Sequence, residues 1–495
     1  MAVRDRTPAS RVAVACVGVA TSAFVAVFGR LALRLHRAYA TSAFDLGIFD
    51  QGLWLLSRFR SPFVTMRGLH LFGDHSSYVM VLLAPLYWLW DDVRALVLLT
   101  VVACALGAPL LYAIARRLGV APPLAAAVSV AYLLYPALNF ATWWSFHPEV
   151  LAVPLLFGAF LLALQGRSWW FVIASVAVLA VKEDAALVVT PLCTWLAATG
   201  TGVSRRVSVT VAVLAVVAFA LNVMVALPHF SPTGELIYAN RYGRFGDTVA
   251  EALVAMVADP GAVVATLGSR RSLGYLAQML LPLAIGFCRP SFLLVGVPVT
   301  LANLLSGQLG QSDIRFHYSA YLTAVASLAA VLGAQRLTRA GRDKGAMAAL
   351  AAPGVVLAMA LAANVAWSPS PIGSRDEVWL GPDRLDARRD KLLAMIPDGA
   401  AVSADPFVVT HLAHRERAYM FPNPWVADAW GADGEPPRPD PASVDWVVVR
   451  PLALPPDHPG TAVLAGLRVS GEFDVVVDSP DVVVLRRTSH RSGVR

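Results

Sequence analysis

The chain has 495 residues, 57% of them hydrophobic and 15% charged, with a net charge of +7 and a mean hydropathy of +0.61. A soluble domain carries about 25% charged residues, so this composition excludes a soluble cytosolic enzyme, a nucleic-acid-binding protein and a disordered chain. The charge is also unevenly spread. Residues 368–495 hold 32 charged side chains in 128 positions, whereas residues 1–367 hold 41. The first part therefore has the composition of a membrane protein, and the last part that of a small globular domain. The net positive charge sits beside apolar runs, as membrane topology requires, and gives no reason to expect nucleic acid.

Cys16, Cys104, Cys193 and Cys288 all fall inside apolar runs, so no disulfide framework is implied. Three lysines stand against 37 arginines, which together with the abundance of Ala, Val and Gly suggests a bacterial genome of high GC content.

In chain order, the basic start MAVRDRTPASR precedes an apolar run at 12–35. That run is long for a signal peptide and lacks a small-residue cleavage site, so it reads as a retained first span. Further runs lie at 95–115, 123–143, 150–165, 169–182, 185–200, 207–227, 273–288, 291–309, 319–335 and 346–366. The expected membrane region is thus all-α and polytopic, with about 11 spans over residues 1–367. A further apolar stretch at 77–90 reads as an interfacial helix or a short span. Larger outer loops are expected at 36–92 and 228–272, and ELIYANRYGRFGDTVAEALVAMV within the second suits a helix lying on the membrane.

With the amino terminus in the cytoplasm, alternation of the spans gathers thirteen bases on the inner side. They include Arg4, Arg6, Arg116, Arg117, Arg205, Arg206, Arg342 and Lys344, against only Asp5 and Asp343. The other thirteen acids of the membrane half fall on the outer side. Arg30, Arg34 and Arg37 run against this rule. The tail, 368–495, is then extracytoplasmic and reads as a small α/β domain. RLDARRDKLLAMIP is expected to be helical, AAVSA a strand, PFVVTHLAHR a helix and DWVVVR a strand. FDVVVDSPDVVVLRR reads as a hairpin turning at Ser479-Pro480, and a Pro-rich loop lies at 421–442.

This topology brings the polar motifs of the membrane half to one face. FDLGIFDQ carries Asp45 and Asp50, and GDHSS carries Asp74 and His75. WWSFHPE carries His147 and Glu149, VKEDAAL carries Lys182, Glu183 and Asp184, and SDIRFHY carries Arg315, His317 and Tyr318. The Lys182-Glu183-Asp184 triplet interrupts about thirty apolar residues. An ionisable group at mid-membrane costs on the order of 3 kcal/mol, so three together point to a functional cavity, with a solvated turn as the plain alternative.

Asp45 and Asp50 are five apart and lie on neighbouring helix faces, able to flank one cavity or to cap an amphipathic surface helix. Pro148 fixes the turn between His147 and Glu149, but no spacing matches a strong metal signature. Trp143 and Trp144 read as an interfacial belt. Arg315 and His317 are cation candidates for a phosphate or a lipid headgroup. There is no Walker motif, no dinucleotide loop and no serine nucleophile elbow.

In order and spacing, FDLGIFDQGLW, GDHSSYVMVLLAPLY, LLYPALNFATWWSFHPEVLAVPL, VKEDAAL and RFHYSAY resemble the bacterial integral-membrane family catalogued as domain of unknown function 2079. The resemblance covers roughly residues 30–340 and extends into the tail through IPDGAAVSA. That family is similar to the GT-C glycosyltransferases, multi-span enzymes that take sugars from polyprenyl phosphate at the extracytoplasmic face. The resemblance implies a first-loop acid as general base, here Asp45, with Asp50 as second choice. Glu183 and Asp184 complete the catalytic candidates. Asp74, His75, His147, Glu149, Lys182, Arg315, His317 and Tyr318 are the substrate-binding candidates.

The expected function is sugar transfer from a polyprenyl-phosphate donor to an extracytoplasmic glycan, lipid or protein acceptor within the cell envelope, with membrane lipids as further partners. A divalent metal held by Asp45, His147, Glu149 and Asp184 is open, and no other cofactor is expected. Two alternatives stand beside it. A transporter or flippase of lipid-linked sugar needs ionisable groups at mid-bilayer and repeated broken helices. A non-catalytic scaffold or sensor leaves the acids scattered.

Overall fold

The computed structural model describes residues 7–344, 346–431 and 438–488, with the side chains of 239, 249 and 341–350 left out. Arg4, Asp5 and Arg6 of the basic start, the side chains of Arg342, Asp343 and Lys344, and the middle of the Pro-rich loop lie outside the described residues.

Each apolar run forms helix, because a chain in lipid must satisfy its own backbone groups. Among the described residues, five helices are long and apolar enough to cross a membrane: Pro8–Arg37, Arg94–Arg117, Arg205–Phe230, Arg270–Cys288 and His317–Ala340. The number rises to seven if two bent pairs are each counted as one span. Pro122–Leu133 and Pro136–Trp143 are bent by 43°, with Pro136 starting the second piece. Ala250–Ala258 and Pro260–Leu267 are bent by 91°. The remaining runs are shorter apolar helices such as Pro148–Leu164 and Ser168–Leu179, so length and composition alone do not establish the expected eleven.

The His317–Ala340 helix is the centre of the bundle, with 83% of its apolar window buried, whereas Arg205–Phe230 at 11% lies on the outside. Small residues allow the close packing. A methyl group on Gly333 of the central helix would strike the Ile285 carbonyl, and one on Gly107 would strike the Tyr132 ring.

Between the first two long helices, residues 38–93 fold into short pieces. The helix Ile48–Ser57 is followed by a two-residue hairpin, β1 (Phe63–Val64) with β2 (Leu69–His70). Ile48–Ser57 buries Asp50, Gln51, Gly52, Leu53 and Leu55, so it is not the surface helix considered above. Its cover is the tail. Gln51 Nε2 donates to Thr65 (2.7 Å) and to the Arg415 carbonyl (3.1 Å), and Ala43 N donates to the Pro406 carbonyl (2.6 Å).

The tail forms one five-stranded sheet in the order β4-β3-β5-β7-β6: β3 is Val402–Ala404, β4 Ala418–Met420, β5 Trp446–Val449, β6 Phe473–Asp478 and β7 Val483–Arg487. β4, β3 and β5 run parallel, and β7 joins them antiparallel. The 384–393 helix, β3, β5 and the β6–β7 hairpin fall where the sequence predicts them.

Two expectations are corrected. PFVVTHLAHR makes a single 3-10 turn at Val409–Leu412, because Asp405 caps the preceding turn by accepting from Phe407 N, and the chain then enters the unpredicted β4. In the 228–272 segment, helix over the expected stretch starts only at Val249, where Thr248 and Glu251 form a capping box; the preceding IYANRYGRFGD is a turn and irregular chain broken by two glycines.

Candidate active site

The polar motifs of the membrane half meet at the ends of the helices they interrupt. His147 precedes Pro148 and is held extended (φ −138°, ψ 139°), as a residue before proline must be. Pro148 opens the Pro148–Leu164 helix, which places Glu149 in its first turn, where the helix dipole favours a carboxylate. Lys182 is extended between the Ser168–Leu179 helix and the 183–185 turn. His317 opens the central helix through the turn His317–Ser319. Asp45 sits in the turn Ala43–Gly47, where Ser42 accepts from Phe44 N (3.2 Å). Its side chain does not cap the following helix, whose cap residue is Gly47.

These residues form one continuous chain of contacts. His147 Nε2 lies 2.5 Å from Asp45 Oδ2, which also accepts from Trp144 Nε1 (3.2 Å). The His147 and His317 rings stack with centroids 3.7 Å apart. His317 Nε2 stands 3.6 Å from Glu149 Oε1, which accepts from Lys182 Nζ at 2.6 Å. Lys182 lies 3.8 Å from Asp184 Oδ2, and Asp184 Oδ1 accepts from Tyr321 OH (2.9 Å).

The accessible members are the acids at either end. Asp45 keeps 27% of its side-chain surface and Asp184 34%, against 3–4% for Lys182 and Glu149. Burial acts to raise the Asp45 carboxyl, but the imidazoles of His147 and His317 overcome it and hold the group well below the ordinary range. Asp184 moves the other way, because burial raises it and Lys182 offsets this only in part.

Not every expected residue joins this cluster. Glu183 ties the turn to the first loop: it pairs with His75 (2.9 Å) and accepts from Ser76 N (3.0 Å). Burial works against its charge, and His75 brings its carboxyl down to about 2. Asp74 accepts from Tyr238 OH, whose ring stacks on His75. Asp50 points to the tail, accepting from Tyr87 OH and lying 2.9 Å from His414 Nε2. Arg315 is 61% exposed and spends its guanidinium on Asp313, lining a different cavity.

Three neighbours of the cluster carry no functional reading in the sequence, Tyr321, Tyr238 and Arg241, and Trp144, read there as part of an interfacial belt, bonds Asp45. Arg241 Cζ lies 4.0 Å over the Tyr238 ring and 5.8 Å over Tyr318, whose other neighbour is Lys182 Nζ at 5.6 Å. No carboxylate among the described residues pairs with this largely enclosed guanidinium. The aromatic spacing of YANRY was the available signal. An apolar cavity of about 460 Å³ is lined by Ala186, which follows the 183–185 turn, and by Leu187, Pro191, Trp195, Phe219 and Leu294. A second, of about 320 Å³, shares Leu294 and reaches Met279 and Leu322.

An apolar helical bundle with a polar cluster at the helix ends and a small sheet packed over it defines a multi-pass membrane protein. The chain belongs to the DUF2079 family of predicted membrane proteins, which it matches over residues 35–462, well beyond the stretch from which the resemblance was read. No curated protein matches it in sequence.

Among solved structures, it is similar to ArnT from Cupriavidus metallidurans bound to undecaprenyl phosphate, with a TM-score of 0.55 and 14% identity over 96% of this chain and 99% of that one. The same protein in the apo state gives a TM-score of 0.42 at 14% identity over the same shares. The first comparison shows that the chain has an ArnT-like fold.

Proposed function

We propose that this protein transfers a sugar from a polyprenyl-phosphate donor to an acceptor at the extracytoplasmic face, with Asp45 as the general base and the tail domain outside. The observation that carries the reading is the buried charged cluster around Lys182 and Glu149, with an apolar cavity whose lining starts at Ala186, two residues after Asp184. A lipid phosphate needs an apolar slot for its tail and cations for its head. Arg241, which makes no ion pair among the described residues, supplies the cation for the head, and Lys182, enclosed and paired with Glu149, adds its field from behind Tyr318. ArnT, a likeness in fold, was solved with undecaprenyl phosphate, which supports a lipid of this class.

His147 and Trp144 both engage Asp45 Oδ2, leaving Oδ1 to face the acceptor. Oδ1 takes the acceptor hydroxyl proton as that oxygen bonds to the anomeric carbon; the bond from that carbon to the phosphate oxygen breaks, and polyprenyl phosphate leaves beside Arg241. Asp184 and Tyr321 orient Lys182, and Tyr318 walls the sugar. Asp45, His147 and His317 also bring three ligand atoms within 4.8 Å of one another, and Nδ1 of both histidines is buried without a partner. Imidazole and carboxylate donors suit a divalent ion such as zinc or manganese, which when bound would neutralise phosphate charge.

The test is donor profiling with the full-length protein in liposomes supplied with a panel of polyprenyl-phosphate sugars. Wild type transfers one of them, and Asp45→Asn slows that transfer by about 10²–10⁴-fold. Equal rates for the two proteins would remove Asp45 from the mechanism.

A further inference from the structure

A polar cavity of about 660 Å³ is linked to the cluster through a pair of aromatic rings. Phe316 lines it, and the Phe316 ring lies 4.6 Å from that of Trp144, whose indole bonds Asp45. Its walls carry Arg270, Arg271, Arg315 and Arg375, and Asp313 is the one acid among its lining residues. Asp313 is already matched to Arg315 (2.7 Å). Arg271 is aimed by Ser312, to which its Nε donates (2.8 Å). Arg375 has only a loose, solvent-exposed contact with Glu377 at 3.9 Å. No ion pair is recorded for Arg270 among the described residues.

Arg270 and Arg271 also open the Arg270–Leu280 helix, so its positive amino-terminal end adds to the same field. Cations gathered on one cavity repel one another unless an anion sits among them. A volume near 660 Å³ is of ligand size.

We infer that this arginine-lined cavity binds a phosphate group carried by the acceptor, so that the acceptor's hydroxyl reaches Asp45 past the Phe316–Trp144 pair. The inference rests on the transfer reading for the word acceptor, but the anion site stands or falls by itself. The arginines on its wall are exposed, so either a lipid headgroup or a soluble phosphate ester can enter.

The test uses the full chain in phosphatidylcholine nanodiscs, titrated calorimetrically with glycerol phosphate. A parallel arm follows melting of the protein in discs with and without phosphatidylglycerol. Wild type is expected to bind or be stabilised in at least one arm. Arg270→Gln combined with Arg375→Gln is expected to weaken that response by about tenfold or more, and Arg270→Lys to keep most of it. A response to glycerol phosphate identifies a free ester as sufficient, whereas a response confined to phosphatidylglycerol identifies the headgroup.

Identical responses of wild type and the double variant in both arms would overturn the site. Neither Arg270 nor Arg375 makes a buried contact, so the fold does not depend on them. Asp45→Asn should stop transfer and leave this binding intact, which separates failure of the anion site from failure of the transfer reading.

Discussion

At the scale of single residues, Asp45 and Lys182 show how the cluster divides its work. Asp45 is accessible, has one oxygen engaged by His147 and Trp144, and is held ionised by the neighbouring imidazoles, which leaves it able to accept a proton at neutral pH while weakening it as a base. Lys182 is enclosed and matched to Glu149 at 2.6 Å. Removing one member of such a buried pair strands the other, so Lys182→Met should destabilise the protein by about 3–5 kcal/mol. Glu149→Leu in the same chain should recover most of that loss in a thermal melt. No recovery would mean that the pair is not the interaction being lost.

Most of this cluster was legible, because Asp45, His147, Glu149, Lys182, Asp184 and His317 interrupt apolar sequence at a cost that demands a reason. Arg241 was not, since it lies in a polar segment where one more arginine carries no signal. Asp50 and Arg315 share motifs with residues of the cluster but stand apart from it, because their neighbours in space, His414 and Asp313, are set by the tail and by a turn.

At the scale of elements, the tail sheet buttresses the first loop from behind. Pro406 holds Ala43 in the turn that carries Asp45, and a methyl on Gly47 would press on both Met66 and Thr410. His414 bridges the two parts, with Nε2 2.9 Å from Asp50 and Nδ1 2.9 Å from Asp91; Arg58, Tyr87 and Trp54 face the same ring.

Burial lowers the His414 imidazole, but Asp50 and Asp91 outweigh it and leave the group raised. A raised histidine contributes stability that is complete below its unfolded pKa and disappears as pH rises through its folded value. The docking of tail on loop should therefore loosen from about pH 6.5 upward. Melting followed across pH 5 to 9 should show that loss in wild type and none in His414→Gln; a slope unchanged by the substitution would refute the assignment.

Four of the five strands and the first tail helix are readable from their apolar patterns, whereas β4 is not. The helix expected over PFVVTHLAHR was not borne out, because local apolar pattern does not register the Asp405 cap or the pull of a neighbouring sheet strand.

At the scale of the whole molecule, composition separated the apolar bundle from the charged tail before any element was assigned. The number of spans was less accessible, because several apolar helices are shorter than a bilayer and only packing around the central His317–Ala340 helix gives them a place. Packing also creates what no linear pattern reveals, an apolar slot that begins where the charged turn ends.

The most direct measurement of the central claim is retention of undecaprenyl phosphate against undecaprenol by the full-length protein in neutral micelles, read by native mass spectrometry. The account predicts a preference for the phosphate of about tenfold or more, equivalent to roughly 1.4 kcal/mol, and its reduction in Arg241→Gln. Equal retention of the charged and uncharged lipids would contradict it.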